Sequence, residues 1–421
     1  QDFMSADYYQ HVAKKLELGK FHMVFFDDRL AMPDIFNAAH HASVEHGIRV
    51  VKMDPIPILA TIGAVTSRIG LGGTLSTTYF EPFHIARQFS TLDHMTAGRA
   101  AWNVVTSLND SEALNMGRSQ VIAHDTRYDR TDEFMEVVLG HWTSWEQDAL
   151  MLDRETGQFA DSAKVHKLDH RGEYFSSRGP FPVPQTPQSH PVIIQAGQSG
   201  RGRRFAMRWG EVIFAIFPNL EFGKRLYTEM REEALAQNRD PDSYRVAPLI
   251  VPIVGATQSE AEDKAALIEA LAEPIDALTL LSEVLNFDFA TKALDEPFSD
   301  DELENLSGLL AIRDRVLQLS GKRNPTVHDF IVYSGRGTIK EAPNFVGTAK
   351  QIADQLEQWF CERACDGFVI GASHVPGTYE DFVDYVVPEL QRRDLFHHDY
   401  SSPTLRANLG FSNYRVAGAI D

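Results

Sequence analysis

Seven short apolar runs, each rich in β-branched or aromatic residues, recur along this chain, and most are followed by an amphipathic helical pattern. Strands that are buried on both faces have this composition, and such strands belong mostly to parallel sheets. The alternation of strand and helix therefore predicts an α/β fold with right-handed crossover connections. The predicted strands cover residues 21–28, 69–78, 100–106, 191–197, 211–217, 245–255 and 366–372.

A closed (β/α)8 TIM barrel needs one strand more than these seven. A helical pattern at residues 8–18 precedes the first predicted strand, so we expect the first barrel strand to be missing from this chain. The interpretation is one barrel domain over residues 1–421. The strand pattern alone leaves an open, doubly wound sheet as the alternative.

Two connections are longer than a plain βα unit requires, at about 108–190 and 256–345. Insertions of this length usually form lids or oligomer contacts. A C-terminal tail covers about 396–421.

Two helix starts are well marked in the sequence. Pro82 suits a first helical turn, and Thr348 with Gln351 matches a capping box.

Charge and cysteine content restrict the class of protein. The chain has 40 basic and 59 acidic residues and a net charge of −19, which argues against a nucleic-acid or anionic-membrane binder. No apolar run is long enough for a transmembrane helix. Cys361 and Cys365 are expected to be ordinary reduced thiols, because no further zinc ligands accompany them. These features favour a cytoplasmic enzyme.

Active sites of barrels lie at the carboxyl ends of the strands, and that rule selects residues 27–28, 74–79, 103–107 and 197–199. The turn after the fourth predicted strand is the most informative of these. Residues 195–202 pass from a buried strand through small residues into a helix. Free backbone N–H groups, the Ser199 hydroxyl and the charge of Arg201, Arg203 or Arg204 could bind a phosphate there. A tight βα turn with solvated arginines explains the same residues, and the stretch alone leaves both interpretations open.

The segment 124–128 precedes a long predicted helix at about 127–145. His124 and Tyr128 are four residues apart and share a helical face, so together they could contact a cofactor. The alternative is a helix start capped by Asp125. The sequence contains no nucleophile elbow and no H-x-H or H-E-x-x-H motif, which indicates that an organic cofactor supplies the chemistry.

The segments that carry this chemistry resemble the two-component flavin monooxygenases of the bacterial-luciferase-like superfamily. The subgroup is that of the nitrilotriacetate and dibenzothiophene-sulfone monooxygenases. The likeness runs over nearly the whole chain and is most specific around residues 102–107. The matching segments are 21–28, 81–87, 91–94, 98–107, 124–128, 195–199 and 387–393.

The resemblance implies a (β/α)8 barrel that oxygenates a small organic substrate through a C4a-peroxyflavin formed from FMNH2 and O2. It implies that a separate NAD(P)H:flavin reductase supplies the reduced FMN, and that the chain forms a homodimer or homotetramer. It also implies roles for seven residues. Asp28 and Thr74 lie near the isoalloxazine ring, Asn103 faces the ring as the catalytic candidate, His124 and Tyr128 contact the ribityl-phosphate side, and the Gly197 backbone and Ser199 hold the phosphate.

Two departures from the family keep the substrate open. The family's first strand is followed by a loop with His and Trp, and this segment is absent here. The sulfone-oxidising members also have a histidine in the long insertion, whereas residues 281–287 contain none. Xenobiotic and sulfur-containing molecules are among the possible substrates. Alternatives within the fold are a deazaflavin-dependent oxidoreductase and a non-catalytic flavin-binding relative.

Overall fold

The computed structural model describes residues 3–197 and 200–412 of the chain. Ten strands lie in these ranges. Eight belong to one parallel sheet, and the short antiparallel pair β4–β5 lies in the insertion that follows β3. The strands are β1 Met23–Phe26, β2 Gly70–Ser76, β3 Ala100–Val105, β4 His170–Arg171, β5 Ser176–Ser177, β6 Val192–Gln195, β7 Val212–Ala215, β8 Arg245–Val254, β9 Asn344–Gly347 and β10 Val369–Ile370.

Seven strands of the main sheet have the order β1-β2-β3-β6-β7-β8-β10, so they lie side by side in the order in which they follow along the chain. All seven predicted strands are confirmed. A doubly wound sheet reverses its strand order at a switch point, and this sheet does not, so that alternative is wrong. The order is that of a (β/α)8 barrel. Within the described residues β10 and β1 do not pair with each other, so the strand that would close the barrel between them stays a prediction. The single domain over residues 1–421 also stays a prediction.

One strand of the main sheet was not predicted. β9 pairs with Val251–Val254, the last four residues of β8, whereas β7 and β10 pair with the earlier part of β8. Ten residues make β8 long enough to take neighbours at two levels. The four residues of β9 include an Asn and a Gly, which disfavour strands, so the local pattern carries no strand signal.

Helices connect the strands and cover the sheet. Both marked helix starts are confirmed: Pro82 occupies the first turn of its helix, and Thr348 with Gln351 forms a capping box. The helices are α1 Ala6–Leu18, α2 His41–His46, α3 Pro55–Gly63, α4 Pro82–Met95, α5 Asp110–Asn115, α6 His124–Trp142, α7 Gly200–Trp209, α8 Leu220–Ala236, α9 Gln258–Glu269, α10 Pro274–Leu285, α11 Asp300–Asn305, α12 Leu310–Ser320, α13 Val327–Ser334, α14 Ala349–Cys361, α15 Gly377–Asp381, α16 Val387–Arg392 and α17 Leu405–Asn408.

The insertion between β8 and β9 has an apolar core of its own. Its helices α10 to α13 pack around aromatic rings, with the centroids of Phe298 and Phe330 4.8 Å apart. Phe36, from the connection that follows β1, packs against the same core. The insertion therefore packs against the connection at the carboxyl end of β1. Active sites of barrels lie at this end of the strands.

The C-terminal segment docks on the opposite end of the sheet. Arg406 in α17 is 1% exposed and forms an ion pair with Glu211, the residue before β7. The Arg406 Nε–H donates to the Gln188 carbonyl at 2.9 Å, in the approach to β6. This buried pair closes the amino end of the strands and leaves the carboxyl end for chemistry.

Candidate active site

Three neighbouring strands are joined by side chains at their carboxyl ends. The Asn103 Nδ2–H donates to the Thr74 hydroxyl at 2.9 Å, and that hydroxyl donates to the Phe26 carbonyl at 2.8 Å. Asn103 and Thr74 are partners in the β2–β3 register. The Asn103 Oδ1 is buried and accepts no hydrogen bond from the described residues. Because a buried acceptor left unpaired costs about 1–3 kcal/mol, this atom is suited to a donor on a bound molecule.

Asp28 lies two residues beyond the end of β1 and is half-buried. Burial raises the pKa of its carboxyl to about 6, against the opposing effects of the Arg29 backbone N–H and of Lys52. The N–H of Arg29 donates to it at 2.9 Å. Near neutral pH, Asp28 can therefore take up or release a proton with a small change in its surroundings.

His124 and Tyr128 share one face of α6, as predicted, with ring centroids 5.0 Å apart. The helix begins at His124, three residues earlier than expected, and Ala123 is its N-cap. The prediction that Asp125 caps this helix is therefore wrong. Asp125 lies in the first turn, and its carboxylate contacts the His124 Nδ1 at 2.7 Å. Tyr128 is 8% exposed, and its hydroxyl lies close to Thr106.

The turn after β6 is tight and requires glycine at position 197. A Cβ on Gly197 would lie 2.4 Å from the Gly202 carbonyl oxygen, which is a backbone atom. The Gly197 N–H donates to the side-chain oxygen of Gln195, so within the described residues this N–H is already used. Donors to an anion would thus come from further along the turn, where Ser199 falls outside the described residues.

Two of the three arginines expected beside this turn are bound by carboxylates. The Arg201 guanidinium binds Asp129 and Asp132, at 3.0 and 2.5 Å, and lies 5.5 Å from the Tyr128 ring centroid. Arg203 binds Glu229 at 2.7 Å. Of the three candidate cations at this turn, these two are therefore already paired with carboxylates. Arg204 is exposed at the start of α7.

Two further buried groups lie near these strand ends without hydrogen-bond partners among the described residues. They are the hydroxyl of Tyr79, three residues past β2, and the Nε of Arg127 in α6. Burial raises the pKa of Tyr79 to about 12, so its hydroxyl is a donor at neutral pH. The strand-end rule had included Tyr79. Arg127 carried no signal of its own, because an arginine early in a helix is ordinarily solvated.

The long insertion contributes a buried carboxylate above the site. Glu283 in α10 is 2% exposed, accepts from the Arg29 Nη1 at 2.8 Å and accepts from the Asn109 Nδ2 at 3.2 Å. Arg29 follows β1 and Asn109 follows β3, so Glu283 joins the insertion to the strand ends. Its sequence signal was an acidic residue inside an otherwise uncharged helical segment at 281–285.

Within residues 3–197 and 200–412, no three His, Cys, Asp or Glu side chains are grouped so that they could hold a metal ion. Cys361 is exposed and Cys365 is buried, and neither forms a disulfide in the structure. In the part of the chain that the structure describes, no helix has the length and hydropathy to cross a membrane.

Comparison with known proteins identifies the relatives of this chain. A family model described as luciferase-like monooxygenase matches residues 4–365. Dibenzothiophene-sulfone monooxygenase of Rhodococcus erythropolis is 42% identical over 429 aligned residues, which cover 99% of this chain and 92% of the relative. N-acetyl-S-(2-succino)cysteine monooxygenase of Bacillus subtilis (strain 168) is 40% identical, with 97% of this chain and 90% of the relative covered. A crystal structure of a riboflavin lyase with modified FMN and the substrate riboflavin has a TM-score of 0.87 at 30% identity, covering 97% of this chain and 90% of that one.

Proposed function

This chain belongs to the luciferase-like monooxygenase family, and from that membership we propose that it oxygenates a small organic molecule with reduced FMN delivered by a separate NAD(P)H:flavin reductase. Members of the family are flavin-dependent monooxygenases, and so is this protein. Its cofactor is FMN, and O2 is its second substrate. When bound, the reduced flavin supplies two electrons, with which one atom of O2 enters the substrate and the other leaves as water.

The residues at the strand ends fit a flavin. The buried, unpaired Asn103 Oδ1 is suited to a ring N–H, and Thr74 holds the Asn103 amide in place from the neighbouring strand. Asp28, with its raised pKa, can keep or release a proton beside the ring. We assign Asn103 the direct contact with the reacting ring, as the catalytic candidate. The common task of Asn103, Thr74 and Asp28 is to orient the flavin ring and to exclude water, since water in the site favours loss of the oxygen as H2O2.

His124 and Tyr128 are proposed to contact the ribityl-phosphate side of FMN. Tyr128 has a buried ring and a hydroxyl that can donate, and its raised pKa keeps that proton in place at neutral pH. The Gly197 turn brings the chain close to the start of α7, where Ser199 would donate to the phosphate. The close approach that excludes a Cβ at Gly197 supports this placement.

The need for a reductase rests on the same turn. The sequence has one glycine-rich βα turn, at 197–202, and we assign it to the FMN phosphate. A dinucleotide would need its own helix N-terminus and glycine fingerprint. We place the reaction in the cytoplasm, where NAD(P)H and a diffusible reductase are both present.

The substrate is proposed to contain sulfur. The two curated relatives described above are named for a sulfone and for a thioether of cysteine, and both align over nearly the whole chain. The riboflavin lyase has the same fold and is named for a different reaction, so the substrate panel described below decides between substrate classes.

We further propose that the chain forms a homodimer or homotetramer. A groove of about 860 Å³ lies between α3 and α4, and it is lined largely by apolar side chains that include Ile56, Phe80 and Met95. Met95 is 79% exposed. Light scattering at micromolar concentration should show more than one chain, and a monomer would refute this assembly.

The observation that carries the proposed function is the buried polar end of β1 to β3, with the Asn103–Thr74 pair at its centre. The test combines the protein with FMN, a flavin reductase, NADH, ¹⁸O2 and a panel of sulfones and thioethers. We expect one ¹⁸O atom in the product, and none when the protein is left out while the reductase keeps producing reduced FMN. Substrates that stay unlabelled throughout, with all O2 recovered as H2O2, would contradict an oxygenase.

A further inference from the structure

Three arginines from separate parts of the chain converge above the carboxyl end of β1. Arg29 follows β1, Arg49 lies between α2 and α3, and Arg336 follows α13 in the long insertion. Their side chains are 22%, 38% and 13% exposed. The carboxylates that face them are Glu283 and Glu341. The group therefore has one more cation than anion, in a chain whose net charge is −19.

Three further charged side chains lie next to this group. Lys52 and Asp27 bind each other at 2.5 Å and neutralise one another. Asp28 accepts from the backbone N–H of Arg29, not from a guanidinium, so it does not use the N–H donors of the arginines. Guanidinium donors that are left over in partly buried positions make the group suited to an anion.

The hydrogen bonds of two of these arginines are long and few. The Arg336 Nη1 lies 3.4 and 3.3 Å from the two Glu341 oxygens, and the Arg49 Nη2 lies 3.4 Å from one of them. Charge-assisted bonds are normally about 2.7–2.9 Å long. Neither guanidinium makes another hydrogen bond to the described residues, although each has five N–H donors. Arg29 differs, because its Nη1 bonds Glu283 at 2.8 Å.

The position of the group connects it to the active site. Glu283 binds both Arg29 and Asn109, and Asn109 follows β3, the strand that carries Asn103. The Glu283 Oε2 and the Asn109 Oδ1 are buried and accept no hydrogen bond from the described residues. The unused donors and the unused acceptors thus belong to one connected group of side chains, since Arg336 also interacts electrostatically with Glu283.

We propose that Arg49 and Arg336, with Arg29 beside them, form a subsite for a carboxylate of the substrate, so that this enzyme acts on an acidic small molecule. The planar guanidinium matches the two oxygens of a carboxylate, and such an anion would use the N–H donors that Arg49 and Arg336 leave without a partner among the described residues. The unpaired oxygens of Glu283 and Asn109 accept an N–H or O–H of the same molecule. This inference rests on the proposed function, because it specifies the substrate class of that site.

The test is equilibrium binding to the full chain loaded with oxidised FMN, which requires no turnover. Succinate is the probe, and succinamide is its uncharged counterpart of similar shape. We expect succinate to bind at least about tenfold more tightly, as one charge-assisted contact predicts. Arg336→Gln and, separately, the more exposed Arg49→Gln should each remove most of this preference, and Arg336→Lys should keep part of it.

Arg323→Gln is the matched control, because Arg323 lies in the same insertion, is 80% exposed and pairs with Asp300 on the surface. It should leave the preference for succinate unchanged. Equal binding of the two probes, no binding of succinate, or a preference that survives in both glutamine variants would overturn the subsite.

The ¹⁸O experiment tests the proposed function independently of these binding measurements. Binding through Arg336 without oxygen transfer would refute the proposed function alone, and oxygen transfer with no preference for succinate would refute the subsite alone.

Discussion

The side-chain amide of Asn103 donates to the Thr74 hydroxyl across the β2–β3 register, at 2.9 Å, and leaves its own Oδ1 buried and unpaired among the described residues. One side chain thus has a fixed donor and a free acceptor at the carboxyl end of the sheet. This geometry orients the acceptor before any ligand arrives, so binding costs little reorganisation.

Asn103→Ala should weaken FMN binding by roughly threefold to tenfold, which is the effect of one hydrogen bond between neutral groups. The fraction of consumed O2 that appears as H2O2 should rise, because the ring is held less firmly. Fluorescence titration of FMN and a peroxide assay measure the two effects. Thr228→Val, which removes an exposed hydroxyl on α8, is the control. Unchanged affinity and unchanged peroxide in Asn103→Ala would exclude contact with the flavin.

Gly197→Ala should weaken FMN binding more than tenfold and lower the melting temperature. The added methyl would lie 2.4 Å from the Gly202 carbonyl oxygen, so the backbone of the turn has to move. Overpacking of this kind costs about 1–3 kcal/mol. Gly367→Ala is the control, since a Cβ there has no atom within 4 Å. If the two variants bind FMN equally well, the turn at 197–202 does not hold the phosphate.

Tyr128→Phe and Ser199→Ala should each weaken FMN binding by about tenfold to a hundredfold, because each removes one hydrogen bond to a charged phosphate. The melting temperature without FMN should change little in Tyr128→Phe, since the buried ring remains. Riboflavin, which lacks the phosphate, should bind equally to each variant and to the unmodified protein. Tyr385→Phe is the control, as Tyr385 is 59% exposed. A parallel loss of riboflavin affinity would show a structural effect instead.

The strands were predictable because their signal is local. A fully buried strand such as Val192–Gln195 shows its environment in its own composition, and the strand-end rule then located Thr74 and Asn103 without further information. Contacts between segments that are far apart in the chain have no comparable local signal in the sequence. Arg29 and Glu283 are 254 residues apart, and nothing in either neighbourhood indicates the other. The prediction of Asp125 as the helix cap is wrong because α6 begins at His124, inside the segment that was expected to precede the helix.

Arg406→Gln should lower the free energy of unfolding by about 3–5 kcal/mol, because it leaves the buried Glu211 carboxylate without its cation. Both side chains are at most 5% exposed, so solvent cannot replace the lost partner. The double variant Arg406→Met/Glu211→Leu should recover much of this loss, since no buried charge remains. Urea unfolding measures both, with the exposed Arg392→Gln as the control. A loss below about 1 kcal/mol in Arg406→Gln would mean that the tail does not hold the end of the sheet.

The last prediction concerns the pH dependence of stability at Asp28. Burial raises the pKa of this carboxyl from 3.8 to about 6 in the folded protein. Between these two values the folded state binds more protons than the unfolded state, so the contribution of Asp28 to stability falls as pH rises and is least favourable above pH 6.

Asp28→Asn removes the ionisation and keeps the shape of the side chain. Its melting temperature should therefore exceed that of the unmodified protein by a few degrees at a pH well above 6 and match it near the unfolded pKa of 3.8. Calorimetry across this range measures the difference. The exposed Asp263→Asn is the control for an Asp-to-Asn substitution on the surface. If Asp28→Asn shifts the melting temperature equally at both ends, the carboxyl is not held in a desolvating position, and its proposed place beside the flavin ring loses its electrostatic basis.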